Sequence, residues 1–356
     1  VQPEFKKTPS ASLVALILFF GICTLIIMAP PRWGPNSNLA TLIDKHRRLE
    51  DCHSPKIVLI GGSNVVYGID SDRIQKAFGR DVVDMGLGIS FGLRYQLEEV
   101  KQQIKPGDLL VVFPEYCNFY NLSKDITNAH LNGSSDLLQL LQPYPGALPW
   151  VLAVYTSSPD CMLGGLDDLH RFLCLKTKFY RKVLPKILKC PRLAFSPGTF
   201  DPTQTISTHR ERYNKYGDFV GHLNVPSPGL APGEPIAFEQ YERFNKEATD
   251  LLESYGKMVH DKNAELIIIP PPFPKHLKCL VIPMDIYAHW KKLNSVRTLA
   301  SPERYSFEAN QFFESEYHMN SEGRQLRTTM IIEDLTKYFN ECSLAVRSHQ
   351  STARLE

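Results

Sequence analysis

Apolar residues follow two patterns along this chain. Short unbroken runs, "IVLI" at 57–60, "LLVVF" at 109–113 and "AELIII" at 264–269, are rich in β-branched and aliphatic side chains. Bounded by turn-forming residues, they predict strands buried on both faces. "DVVDM" at 81–85 predicts a further strand. Between the runs, apolar positions recur at helical spacing, which predicts helices over residues 39–50, 71–78, 94–104, 238–260, 285–299 and 323–339. Asp70 or Ser71 can cap the second of these. Strands alternating with helices predict an α/β fold, a three-layer α/β/α sandwich on a mostly parallel sheet.

The rhythm lapses over residues 116–235, a stretch rich in Pro, Ser, Asn and Gly with helical patterning only at 135–141 and 166–188. It predicts a long insertion in the body, of the kind that shapes a substrate surface or docks a partner. Asn121-Leu122-Ser123 and Asn132-Gly133-Ser134 within it fit the glycosylation pattern. Residues 11–30, "ASLVALILFFGICTLIIMAP", carry no charge, and about 20 such residues span a bilayer core. The apolar run is long for a cleaved leader and no A-x-A site follows, so a retained anchor is expected. Cys23 lacks the small residues that precede a lipoprotein cysteine. Lys6 and Lys7 before the span, against Arg32 after it, favour the N-terminus inside and the body outside the cytoplasm. The expected organisation is a tail at 1–10, the anchor at 11–30, a linker at 31–55, the α/β body at 56–345 and a tail at 346–356.

Charge narrows the field of partners. With 40 basic and 38 acidic residues and a net charge of +2, nothing points to nucleic acid. Clusters such as Lys45-His46-Arg47-Arg48 are expected to be solvated or near-membrane surface. The cysteines form no CxxC or His/Cys cluster, so neither zinc nor another metal is implied. Cys161, Cys174 and Cys190 are candidates for a disulfide if the body is exported.

Two local settings can carry chemistry. In "KIVLIGGSNVVYGID" the first strand ends in Gly61-Gly62 and delivers Ser63 and Asn64 to the carboxyl edge of the sheet, where ligands bind in parallel α/β folds. The same spacing also suits a plain turn or a phosphate loop. In "ESEYHMNSEG" His318 sits in the loop before the last helix, which Asn320 or Ser321 can cap, with Glu314 and Glu316 close upstream. A carboxylate beside an imidazole fixes its tautomer and stabilises the imidazolium formed when it takes a serine proton.

"GGSNVVYGID", "GLGISFG" at 86–92 and "YHMNSEG" at 317–323 resemble the blocks of the SGNH (GDSL-like) hydrolase superfamily, in that order, over about residues 56–338. The likeness is nearest to membrane-anchored members such as the D-alanyl transfer proteins of teichoic acids and the alginate acetylation proteins. It implies a flavodoxin-like body carrying a Ser63 nucleophile and a His318 base. It further implies a cell-envelope polysaccharide or acylated sugar as substrate, no cofactor, and a membrane-bound O-acyltransferase as partner. The family's D-x-x-H acid would fall at Ser315, so Glu314 or Glu316 must serve, Glu314 being favoured. Oxyanion or substrate contacts would come from Gly88, from Phe91 where the family has glycine, from Asn64, and from Asn118 or Glu115 in "FPEYCN". A plain carbohydrate esterase and an inactive scaffold of a membrane complex are the other readings.

Overall fold

The computed structural model describes residues 36–122, 129–133, 137–141, 143–159, 161–166, 169, 209–227, 229–230, 241–275 and 281–352. The expected anchor at 11–30, Cys174 and Cys190 lie outside these residues. Among the described residues no helix is long and apolar enough to cross a membrane.

Among the described residues the first α-helix is α1 (Thr41–Asp51), followed by β1 (Ile57–Gly61), a short α2 (Ser63–Gly68), α3 (Ser71–Phe78) and β2 (Val82–Asp84). Next come α4 (Gly92–Glu98), β3 (Leu109–Phe113), β4 (Tyr120–Leu122) and α5 (Leu148–Tyr155). The second half holds β5 (Tyr241–Phe244), α6 (Lys246–Asp261), β6 (Glu265–Ile268), β7 (Phe273–Pro274), α7 (Val281–Trp290), β8 (Arg297–Thr298), β9 (Ser306–Phe307) and α8 (Ser321–Thr352).

The main sheet runs β2-β1-β3-β6-β8, every pair parallel. Successive strand residues alternate between two cores, so the unbroken apolar runs reflect burial on both faces. Val58, Ile60, Val112 and Ile268 pack with Leu93, Leu97, Leu252 and Trp290 of α4, α6 and α7. Ile57, Leu59, Val111 and Ile267 pack with Ile74, Ile331 and Leu335 of α3 and α8. The α/β class predicted from the sequence is therefore present.

Several elements differ from the expectation. Residues 241–244, expected to be helical, form β5, which pairs antiparallel with β4, and the helix begins only where Asn245 Oδ1 caps the Glu247 N–H at 3.0 Å. Residues 297–298 are likewise a strand, edging the main sheet beside β6. The basic run at 45–48 is solvated only in part: Arg47 is exposed and Arg48 half-buried, but Lys45 and His46 are not at the surface. Lys45 is buried, its ammonium donating to the carbonyls of Asp84, Gly86 and Gly217 at 2.8–2.9 Å. His46 is buried beside the Tyr144 and Trp150 rings, which also stack on each other. One α1 face meets the body every three or four residues, and its polar groups are met there by backbone carbonyls and by the buried carboxylates of Asp84 and Glu99 rather than by water. Cys161 is a buried free thiol.

Candidate active site

Ser63 starts α2 directly off the carboxyl end of β1, beside the end of β3. In this strand order that boundary is the point where the sheet winds in opposite directions, and ligands bind in the crevice there. Two glycines make the abrupt turn possible. A Cβ on Gly61 would stand 2.6 Å from Val65 Cγ2 and 2.9 Å from the Phe113 carbonyl oxygen. One on Gly62 would collide with Glu115 Oε1. Both glycines therefore serve close approach rather than an unusual φ.

Beneath Ser63 lies a buried polar network. Asn64 Nδ2 donates to the Phe113 carbonyl and to Glu115 Oε1, each at 3.1 Å. Arg327 on α8 completes it, donating to the Asn64 carbonyl at 2.5 Å and to Asn64 Oδ1 at 3.1 Å. Asn64 thus pins the first turn of α2 to β3 and α8, and its amide is used up inside the protein. Burial pushes the Glu115 carboxyl up to about 7, against the hydrogen bonds from Asn64 and the Arg327 charge, and with added repulsion from Glu316. Burial also brings Arg327 down to about 10, so it remains a cation at neutral pH.

His318 is held by a closed loop. The Phe313 N–H donates to the His318 carbonyl at 2.7 Å, and the Asn320 N–H donates to Gln311 O at 3.0 Å. Asn320 Oδ1 then caps α8 through the Gly323 N–H at 3.0 Å. The imidazole lies flat on the Tyr67 ring, centroids 3.9 Å apart and planes 4° apart. Ser63 and Tyr67 are four residues apart on α2 and so share one face of it. Nδ1 of His318 faces Glu314 Oε1 at 3.2 Å. That hydrogen bond and the His318 charge hold the Glu314 carboxyl below its usual range despite partial burial. Among the described residues no hydrogen bond joins Ser63 to His318.

A strap from the insertion closes the far side. Phe219 and His222 pack against Tyr67, with ring centroids 4.8 and 4.9 Å away. His222 Nε2 contacts the Met319 carbonyl at 3.0 Å, and burial lowers its pKa to about 4. Asp218, fully buried, accepts from Ser71 Oγ at 2.5 Å and from Arg324 Nη2 at 2.9 Å. The strap is thereby tied to both α3 and α8.

No protein-family model matches the chain, and no curated protein is significantly similar to it.

The structure thus sets Asn64 and Glu115 at the start of α2 beside Ser63, and His318 on Tyr67 one turn along the same helix, with Glu314 rather than Glu316 on the imidazole. Glu316, half-buried, is close enough to Glu115 to repel its charge. Gly88 lies at the start of a 3₁₀ turn, Ile89–Phe91, whose Ile89 nitrogen stands 3.3 Å from where a Gly62 Cβ would be. The Phe91 N–H closes that turn on the Gly88 carbonyl at 3.2 Å, and its ring lies against Gly88, buried in one cluster with Leu39, Leu42 and Val151. Asn118 donates to the His130 carbonyl at 2.5 Å. The side chains of Asn64 and Asn118 are therefore engaged internally, which leaves main-chain groups at 62–64 and 88–89 as the donors nearest Ser63.

Sequence reasoning did not single out Tyr67, Arg327 or Asp218. Tyr67 was signalled by its i,i+4 spacing from Ser63, once a helix is allowed to begin at the serine itself. Arg324 and Arg327 stand on the same stripe of α8 as the buried Ile331, Leu335 and Tyr338. A guanidinium on an apolar helix face signals a buried polar partner.

Proposed function

We propose that this chain is a serine acyltransferase or esterase of SGNH type, anchored by residues 11–30 with its body outside the cytoplasm. It acts on acyl groups of cell-envelope polysaccharide, with a membrane-bound O-acyltransferase as partner. The observation that carries the reading is the Glu314–His318 pair stacked on Tyr67, one helical turn from a serine at the switch point of the sheet.

In this mechanism the Ser63 hydroxyl attacks an acyl carbonyl carbon while His318 takes its proton. Glu314 accepts the Nδ1–H and stabilises the imidazolium. The oxyanion is met by main-chain N–H groups near Ser63 and Gly88. Collapse breaks the bond to the leaving oxygen, which receives the proton from His318, and leaves an acyl-serine. A sugar hydroxyl, or water in the esterase case, then gives its proton to His318 and takes the acyl group, the bond to Ser63 Oγ breaking as His318 returns the proton to that oxygen. Transfer is favoured over hydrolysis by the expected anchor and the resemblance. The proton transfer needs a Ser63–His318 hydrogen bond, which is not formed among the described residues; such catalytic hydrogen bonds often tighten only in the substrate complex.

The same gap, with Asn64 and Asn118 both engaged internally, is what favours the second reading, a scaffold that has lost its chemistry. Incubation with an activated acetyl ester followed by peptide mass spectrometry separates the two. An acyl adduct on Ser63, lost in Ser63→Ala with turnover down about a thousandfold or more, is expected. No adduct, or unchanged turnover in Ser63→Ala, removes the enzyme reading.

A further inference from the structure

Residues 137–159 contain no charged side chain, although much of this stretch lies at the surface. Within it, α5 buries Val151 and Val154 together with Leu39, Leu42 and Phe91. Its other side presents Leu148 and Leu152 to solvent, and the helical turn at 161–166 adds Met162, Leu163 and Leu166, all five between 46% and 64% exposed. The turn lies against α5, since a Cβ on Gly165 would stand 2.7 Å from the Tyr155 ring. Among the described residues, five of the nine exposed large apolar side chains belong to this one face. Water alone gives no reason to gather them there.

The position of the N-terminal apolar segment says what covers it. Five residues lie between position 30 and Asn36, a reach of at most about 20 Å. Leu39, three residues further on, is buried in the same cluster as Ala147 and Val151. Whatever surface residues 11–30 enter, α5 is brought to it. We propose that the outer face of α5 and the 161–166 turn dock on the lipid bilayer beside the anchor, an inference that rests on reading 11–30 as membrane-spanning. Leucines on an uncharged helix, with Tyr144, Trp150 and Tyr155 alongside, suit the apolar edge of a headgroup layer. Five half-exposed side chains amount to an area on the order of a few hundred Å², enough for interfacial docking and below the roughly 800 Å² per partner of a stable protein interface. The inner face of α5 packs on Phe91, next to the Gly88 turn, so docking holds the Ser63 rim about one helix diameter, roughly 10 Å, from lipid.

The test uses the full chain in phosphatidylethanolamine/phosphatidylglycerol vesicles doped with a diazirine-acyl phospholipid, with photolabelled peptides mapped by mass spectrometry. Label is expected on both 11–30 and 145–166. In Leu148→Gln/Leu152→Gln/Leu163→Gln, at positions exposed enough to spare the fold, label at 145–166 should fall about tenfold or more while label at 11–30 stays. Label on 11–30 with 145–166 protected, whether by another segment of the chain or a second copy, overturns the docking. Label on 145–166 without 11–30 would instead sink the anchor and leave the docking face standing. Neither outcome touches the acyl-serine test.

Discussion

Glu314 and Glu316 flank the same expected position and differ in what they touch. Glu314 faces His318 Nδ1 at 3.2 Å, whereas the charge of Glu316 acts on Glu115, whose pKa it raises. Glu314→Gln should lower kcat/KM about a hundredfold, while Glu316→Gln should leave it within about twofold. Steady-state kinetics on both variants, with equal losses as the contrary result, checks the assignment. Glu115 makes a separate prediction through protons. Its folded pKa is about 7 against an ordinary 4.5, so the native state keeps a proton that the unfolded chain has released over that window. Stability from this group is fully present below about 4.5 and is lost as pH rises to about 7, by roughly 3 kcal/mol in all. Glu115→Gln cannot lose that proton, so its urea stability relative to the parent should climb between these pH values; a difference independent of pH would contradict the buried-acid account. The candidate residues themselves were legible in sequence, because serine, histidine and carboxylate sit in short local patterns. Which carboxylate the ring meets was not, since the turn at 311–320 decides it.

The turn from β1 into α2 is set by contacts with β3 that lie some fifty residues away in sequence. Gly62 has no room for a side chain because Glu115 occupies the space, and Glu115 stands there because Asn64 Nδ2 donates to it at 3.1 Å. Gly62→Ala should therefore force Glu115 off Asn64 and cost about 2 kcal/mol or more. In Glu115→Ala the space is open, so adding Gly62→Ala should cost far less than it does alone. A double-mutant cycle by chemical denaturation should return a coupling of about 1–3 kcal/mol; additive losses would mean that the glycine is there for another reason. Helix α3 was readable because a capping residue marks it, Asp70 accepting from the Arg73 N–H; α6 was readable from its apolar spacing, but its start at the Asn245 cap was not. Helix α2 was not readable. It is a single short element hidden behind two glycines, and tertiary contacts rather than propensity hold it.

At the scale of the molecule, parallel strands read clearly because both faces are covered, but strand order is invisible in a single sequence: β1 lies between β2 and β3 only through packing. The strap at 209–227 was equally hidden, since Asp218, Phe219 and His222 gain their meaning from α2, α3 and α8. The candidate site and a buried ion pair lie at opposite ends of the same strands. At the end away from Ser63, Lys56 enters β1 and Asp108 enters β3, both fully buried. The Lys56 ammonium donates to Asp108 Oδ2 at 2.7 Å, to the Gln103 carbonyl at 3.1 Å and to Ser54 Oγ at 3.2 Å. Asp108 in turn accepts the backbone N–H groups of Lys56 and Lys105 at 3.0 and 2.9 Å. Asp108→Ala strands a cation without its counter-charge and should destabilise the fold by about 3–5 kcal/mol, whereas Lys56→Met with Asp108→Leu removes both charges and should cost much less. Both effects belong to the base of the sheet, so acylation of Ser63 per folded molecule should match the parent in either variant. Urea midpoints read alongside adduct yield separate the two ends: equal destabilisation by the single and double changes would show that the backbone hydrogen bonds to Asp108, rather than the ion pair, hold that edge.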